Sequence, residues 1–420
     1  PFAAGFRQTN GIALSPEGEL FVTDNQGDYK PSTGLIHVEK GDFHGHAASL
    51  KWEPGYDPTG LTTEKLWQRL KTPAVVFPHG PMGNSPGEPV WDLTGGKFGP
   101  YAGQVFTGDY SRLMIRSSLQ RVAGAWQGAC FPFLGRNELA PYVTGERYKA
   151  GATRAAFAPD GSLYVAATAG WGAGEDGFQR ITWDGKASPD LRDVKLTPRG
   201  FLVSFTQPMD SALVRPESFE LTRFRYYYHS KYGSPWVDEA RVSITSIQVA
   251  PNRRSAELVL ADLQPGFVYE LSVPTLRTAA GEPLANPLAY YTANRLLDGS
   301  KTVGGVTRLP RPGETSLGAK EAIGETKNAP TKDQIVAGEK VYRFYCVACH
   351  QPDGKGMNVP GGAANFVDNK SRLAKSDAEL LKVINEGLEA KAMPAFGAII
   401  NENQRRAVLA YIRATFGEKK

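Results

Sequence analysis

The sequence predicts a multidomain chain, all-β over roughly its first 295 residues and all-α from residue 331 to residue 420. Three observations carry that division. A turn-and-strand unit recurs, once as Ser15-Pro16-Glu17-Gly18-Glu19-Leu20-Phe21-Val22 and again as Ala158-Pro159-Asp160-Gly161-Ser162-Leu163-Tyr164-Val165. From about Asp193 to Asn294, apolar and polar residues alternate in short runs, the period of half-buried strands. Beyond residue 331 the apolar period lengthens to that of amphipathic helices.

Composition bounds what such a chain can do. With 420 residues and 41% hydrophobic content it can bury substantial cores, and its length suggests two to four domains. A formal net charge of +5, with basic residues scattered rather than striped, gives no footprint of nucleic-acid binding. No apolar run approaches the roughly 18 to 20 residues of a spanning helix, so no transmembrane segment is expected in this chain. No signal peptide is read at Pro1.

In residues 1–190 each copy of the repeated unit is a turn followed by a strand and preceded by a short apolar strand (Gly11 to Leu14, Ala155 to Phe157). That is the punctuation of β-propeller blades. Gly103 to Tyr110 reads as another, and at about 40 to 50 residues per blade the segment holds roughly four, a partial propeller. A generic sandwich with coincidental Pro-x-Gly turns is the alternative. Cys130, beside Phe131-Pro132-Phe133, reads as a buried small hydrophobe.

Residues 191–295 carry strands at Gly200 to Phe205, Ser218 to Leu221, Val242 to Ile244, Ser255 to Leu260 and Val268 to Val273, the spacing of an Ig-like or fibronectin-like β-sandwich. The aromatic and basic cluster Arg223 to His229, with Tyr232 and Trp236, is expected to pack against a neighbouring domain, with sugar binding as the alternative. Residues 296–330 are polar and broken by Gly304-Gly305, Pro310, Pro312 and Gly313, which reads as a linker.

Residues 331–420 open with a helical pattern, Asp333 to Tyr345, starting at Thr331 or Lys332 and placing Ile335, Gly338, Tyr342 and Tyr345 on one face. Then comes Cys346-Val347-Ala348-Cys349-His350. C-x-x-C-H is the spacing at which two thiols capture the vinyl groups of one haem while the adjacent histidine ligates its iron. With Cys130 as the single further cysteine, a four-thiol zinc site is excluded. A thioredoxin-like dithiol would want a strand before it. A glycine-rich stretch follows to Met357, then a middle helix around Asp377 to Glu386, then Met393-Pro394. A last helix opens at Asn401, with Val408, Tyr411, Ile412 and Phe416 inward and Arg405, Arg406 and Arg413 left to solvent.

On these residues the segment from 331 to 420 resembles a class I cytochrome c: Gly338 and Tyr342 on the first helix, C-x-x-C-H, a Met-Pro some forty residues on, and Val408 and Tyr411 on the last helix. The resemblance implies one covalent haem c, thioethers at Cys346 and Cys349, His350 as proximal ligand and Met393 as distal ligand. A thioether opposite an imidazole favours ferrous iron and raises the potential. Met357 is the rival distal ligand; it lies seven residues past His350, in a loop that would struggle to pass around the haem edge to the other face. Haem c is attached outside the bacterial cytoplasm, so a periplasmic or extracellular location is expected.

A second resemblance covers the N-terminal segment. Phe6-Arg7-Gln8-Thr9-Asn10-Gly11, Thr23 to Gly27, Gly34 to Val38 and Gly41 to His46 resemble the corresponding runs of soluble quinoprotein sugar dehydrogenases and their sorbosone-dehydrogenase-like relatives. Gly95 to Phe98 through Cys130, Thr153-Arg154 and Trp171-Gly172 fit later blades of that type. The resemblance implies pyrroloquinoline quinone (PQQ), with Arg7 and Arg154, and more weakly Arg112, pairing with its carboxylates. It also implies calcium at the loop Gln26-Gly27-Asp28. The family's histidine base has no counterpart here, and its lysine is replaced around Asp109-Tyr110; His44, His46 and His79 are the histidines placed to enter the channel.

The expectation is the C-terminal part of an exported quinoprotein-type dehydrogenase, oxidising a sugar or polyol and passing electrons through haem to a redox partner protein. The alternative is a non-enzymatic electron-transfer subunit with a degenerate partner- or polysaccharide-binding propeller.

Overall fold

The structure, a computed structural model, describes residues 1–110, 114–134, 151–168, 177–300, 306–308, 331–346, 350–351, 353–356, 364–388, 393, 396 and 402–417. The chain separates into a β-rich unit within residues 1–309 and a helical unit within residues 310–420.

The repeated turn-and-strand motif builds the β unit. In both copies the turn closes with the same pair of backbone bonds: Gly18 N–H donates to Ser15 O and Ser15 N–H to Glu19 O, and Gly161 N–H donates to Ala158 O and Ala158 N–H to Ser162 O. Gly18 and Gly161 sit at φ 82° and 91°, which is why glycine recurs there. The first copy lies in an antiparallel meander of β1 (Thr9–Leu14), β2 (Leu20–Asp24), β3 (Thr33–Val38) and β4 (Val75–Phe77). A second meander follows, β5 (Pro86–Trp91), β6 (Val105–Asp109), β7 (Met114–Val122) and β8 (Ala125–Leu134). A third comprises β9 (Ala152–Phe157), β10 (Leu163–Ala167) and β11 (Gly177–Ile181).

The meanders stack face to face. Phe21, Leu35, Val75 and Phe77 of the first meet Trp91, Val105 and Ile115 of the second, whose other face packs Phe106 and Met114 onto Leu163 and Val165 of the third. Their opening strands abut so closely that a Cβ on Gly11 would lie 2.4 Å from Gly87 O, and one on Gly87 2.6 Å from Thr153 O. Among the described residues three meanders stand, where length alone suggested roughly four. Residues 39–74 account for the difference, since they form an insertion holding α1 (Thr63–Arg69) rather than strands.

The sandwich expected over residues 191–295 is present as two facing sheets, and one of them does not stop at the expected boundary. The first sheet is ordered β12 (Leu191–Thr197), β13 (Gly200–Phe205), β17 (Ser255–Leu260), β16 (Ile244–Val249). The second runs β20 (Val306–Arg308), β15 (Trp236–Val242), β14 (Glu220–Tyr226), β18 (Phe267–Ser272), β19 (Leu288–Ala293). It continues through β8 into the second meander, because Tyr290 and Tyr291 of β19 pair with Cys130 and Ala129. The shared core follows: Val194, Phe201 and Leu258 pack with Leu221, Tyr269 and Tyr291, and also with Val122, Ala129 and Phe131 of the meander. Arg116, fully buried, staples the two parts. Its guanidinium lies 4.0 Å from the Tyr101 ring centroid and 4.2 Å from that of Phe131, and donates to Gln104 Oε1 (2.6 Å), Arg192 O (2.7 Å) and Leu191 O (2.5 Å).

Two further expectations meet the structure here. Within the segment read as a linker, Val306–Arg308 is a strand, with Val306 opposite Val242. The aromatic-basic cluster packs within the β unit, where Tyr228 donates to Gly45 O (2.6 Å) and its ring lies 5.3 Å from Tyr29 and 5.9 Å from Trp67.

In the helical unit, α2 (Lys332–Val341) opens on a capping box, Thr331 Oγ1 accepting from Gln334 N–H and Gln334 Oε1 from Thr331 N–H. It does not run on as one α-helix to Tyr345; its pitch widens to a π turn over Tyr342–Cys346, just before the cysteines. α3 (Asp377–Glu386) has the same box at Ser376 and Glu379 and stops at Gly387 (φ 73°). α4 (Glu402–Phe416) crosses α2 where Gly338 faces Ala407: a Cβ there would lie 2.0 Å from Ala407 O. Val341, Tyr342, Phe366, Leu373, Phe396, Val408, Ile412 and Phe416 form the core. Among the described residues no helix is long and apolar enough to cross a membrane.

Candidate functional site

The C-x-x-C-H segment begins where the π turn delivers Cys346, whose side chain borders the helical core. Cys349 lies outside the described residues. His350 Nδ1 stands 3.2 Å from Ala364 O. A carbonyl can only accept, so Nδ1 carries the proton and the lone pair of the neutral ring is on Nε2, the arrangement a metal-binding imidazole needs. The ring stacks on Phe366, centroids 4.6 Å apart at 14°. Burial moves the His350 pKa down, which keeps the ring neutral. The following loop is held by Gly356 N–H to His350 O (3.0 Å), Tyr342 OH to Gln351 O (2.8 Å) and Phe366 N–H to Gly354 O (2.8 Å). Gly354 is required there: at φ 72° any Cβ would lie 2.6 Å from the Phe416 ring.

Met393 borders the same apolar cluster as Cys346 and Tyr345. Its backbone is fixed by a two-bond bridge to Leu388, Leu388 N–H to Met393 O (2.9 Å) and Met393 N–H to Leu388 O (3.1 Å). Three residues on, Phe396 N–H donates to Ile384 O (2.9 Å), so α3 carries the methionine segment. Met357 lies outside the described residues.

Residues 333–412 match the family described as cytochrome c oxidase, cbb3-type, subunit III. The C-terminal unit is a cytochrome c domain. Its relatives include the cbb3-type cytochrome c oxidase subunit FixP of Bradyrhizobium diazoefficiens, 34% identical over 82 residues, covering 20% of this chain and 28% of the relative. The FixP subunit of Bradyrhizobium sp. ORS 278 is 32% identical over 92 residues, covering 21% and 31%. The chain thus spans less than a third of the curated relatives it matches. Among solved structures, a putative oxidoreductase (glucose dehydrogenase) from Thermus thermophilus is 17% identical with a TM-score of 0.27, covering 43% of this chain and 46% of that one. A likeness of that extent carries nothing over to this chain.

The cytochrome domain's residues fit a haem. An imidazole with its lone pair on Nε2, a thiol bordering an apolar cluster and a thioether on a backbone-pinned segment are donors of the kinds a haem c would take, and Phe366, Tyr345 and Phe396 of the same cluster are aromatic.

The quinone and calcium candidates of the β unit are already engaged. Arg7 lies over the Tyr232 ring (5.3 Å) and donates to Gln8 Oε1 (3.1 Å), its stem packing against Gly27. Arg154 donates to Asn10 O (3.1 Å) and Thr153 O (2.8 Å) and stands 3.6 Å from Glu88, tying the first strands of the three meanders together at the surface. Gln26 Nε2 donates to Pro31 O, and Gly27 O accepts from both Lys30 N–H (2.9 Å) and Gly233 N–H (3.1 Å), which uses both its lone pairs. Arg112 and Trp171-Gly172 lie outside the described residues. His46 Nδ1 donates to Asp28 O (2.9 Å). His44 is buried, and desolvation first, then Lys30, lowers its pKa to about 4. His79 N–H donates to Ser32 Oγ (3.1 Å). Among the described residues no group of three His, Cys, Asp or Glu could hold a metal ion.

Sequence reasoning missed Ala364, Phe366, Leu388 and Ile384 at the haem side. Three of these four act through backbone atoms or a bridge that leaves no mark on residue type. It also missed Asp24, which is buried and pairs with Lys30 (3.0 Å) while accepting from Arg7 and Gln8 N–H.

Proposed function

We propose that the protein is a haem c electron carrier in which His350 and Met393 are the axial ligands and Cys346 and Cys349 the thioether sites. It is the C-terminal part of a periplasmic or extracellular quinoprotein-type dehydrogenase that delivers electrons from sugar or alcohol oxidation to a partner protein. The observation that carries the haem reading is the His350 Nδ1···O=C Ala364 contact, which presets the ligating tautomer. The haem, when bound, supplies a one-electron couple. His350 offers the basic nitrogen, its ring held by Phe366; Met393 offers a soft sulfur from a bridged segment; Tyr345 and Phe396 exclude water, which favours the less charged oxidation state.

The dehydrogenase reading rests on the N-terminal sequence resemblance. With calcium and PQQ added, it predicts quinone binding in calorimetry and dye reduction over a sugar panel. The engaged state of Arg154 and Gly27 O supports a second reading, a non-enzymatic electron-transfer subunit whose β unit binds a partner or polysaccharide. Absence of quinone binding leaves the second reading standing.

A further inference from the structure

We infer that Arg413, outside the haem-binding motif, is a positioning residue for the Met393 thioether. This rests on the assignment of Met393 as distal ligand. Arg413 was expected to face solvent; instead its half-buried guanidinium spans three acceptors at the start of α3. Nη1 donates to Leu373 O (2.8 Å), Nη2 to Lys375 O (2.7 Å) and Nε to Asp377 Oδ1 (2.6 Å). Those acceptors flank Ser376, the N-cap of α3. The exposed ion pair with Asp377 contributes little; the two carbonyl bonds from a rigid planar donor fix the segment.

α3 then acts as an arm about 15 Å long. Its entry is clamped by Arg413, and near its exit Ile384 O holds Phe396 N–H while Leu388, just past Gly387, holds Met393 through two backbone bonds. Between those ends Leu380 and Ile384 border the core without being buried, so packing alone holds the arm loosely. The helix that clamps the arm, α4, is the same one whose Ala407 meets Gly338 of α2, the helix leading to Cys346 and His350. One helix thereby sets the register of both axial ligands, through glycine contact on the histidine side and through Arg413 on the methionine side.

The test uses the full haem-loaded chain and the weak red charge-transfer band of Met-ligated ferric haem, followed against temperature, with covalent haem content measured alongside. Arg413→Met keeps an apolar stem but removes every donor. It should retain full haem content while the ratio of Met-on to Met-off haem falls about tenfold at fixed temperature and the band disappears at a lower midpoint. Arg413→Lys, which cannot fork to two carbonyls, should fall between the two. Arg406→Ala, which removes only an exposed pair with Glu402, should match the wild type. If Arg413→Met yields no haem-loaded protein, Arg413→Lys decides: a smaller shift in the same direction supports the proposal, and an unchanged profile overturns it. A wild-type band that persists unchanged in Arg413→Met overturns this proposal alone. A wild type that lacks the band overturns both it and the ligand assignment.

Discussion

Substituting Gly338 by alanine tests whether the helical unit depends on backbone contact between α2 and α4. The new Cβ would lie 2.0 Å from Ala407 O, 2.5 Å from Ala407 C and 2.9 Å from Tyr411 Cβ, two of the three being backbone atoms that cannot swing away. Restoring even a tight contact of 3.0 Å requires the helices to part by about 1 Å. A gap of that size forfeits a quarter to a half of each dispersion contact across the seam, and overpacking of this kind costs about 1–3 kcal/mol. Against it stands a gain of about 1 kcal/mol from replacing glycine within a helix. The net expectation is a loss of about 1 kcal/mol, or roughly 4–8 °C in the midpoint of a unit this size. Soret circular dichroism reports this unit. Six of the seven tryptophans, Trp52, Trp67, Trp91, Trp126, Trp183 and Trp236, lie in the β unit, so fluorescence reports mainly that unit and should shift little. A Gly338→Ala midpoint equal to or above wild type would refute the reasoning.

Three further outcomes concern the β unit. Gly87→Ala forces a Cβ to within 2.6 Å of Thr153 O and should lower the urea midpoint by tryptophan fluorescence by the equivalent of about 1–3 kcal/mol; no change would show that the opening strands do not abut. Arg116→Met leaves Asp190 buried beside a lost cation 3.9 Å away and should destabilise the unit by about 3–5 kcal/mol, with partial recovery in Arg116→Met/Asp190→Asn; additive losses would contradict the pairing. Burial pushes the Asp190 pKa up from 3.8 to about 6, against the opposing pull of Arg116. The folded state therefore holds a proton that the unfolded state has lost between about pH 4 and pH 6, and stability falls as pH rises through that window. Asp190→Asn should remove that slope, so its midpoint should gain on wild type between pH 4 and pH 7, and a relative loss would contradict the assignment.

The legible parts of the sequence were those set by period and by turn chemistry. The Pro-x-Gly repeats gave matching turns because only glycine holds φ near 90° at Gly18 and Gly161, and Asp377–Glu386 formed the expected middle helix behind a capping box readable as Ser376-x-x-Glu379. Gly338 and Val408 lie at the helix crossing as their pattern implied. What stayed hidden is pairing between distant segments. Nothing in the residues of β8 and β19 announces that Cys130 will lie opposite Tyr290, so the boundary at 190 falls between chain segments while one core runs across it. The insertion over residues 39–74 lacked a strand period, and counting residues per blade spread it over a further repeat. Arg413 read as a solvent-facing charge because its acceptors are mainly carbonyls, which composition does not display. The C-x-x-C-H spacing before the glycine-rich loop was legible in the sequence; the tautomer of His350 was not, since it is fixed by the backbone of Ala364.

The central claim is that this chain carries one haem between His350 and Met393. The ferric absorption spectrum of Met393→Ala beside wild type tests it most directly. The account predicts the red charge-transfer band in the wild type and its loss in Met393→Ala, with covalent haem retained at Cys346 and Cys349 in both. A band that survives in Met393→Ala, or a protein matured without covalent haem, would contradict it.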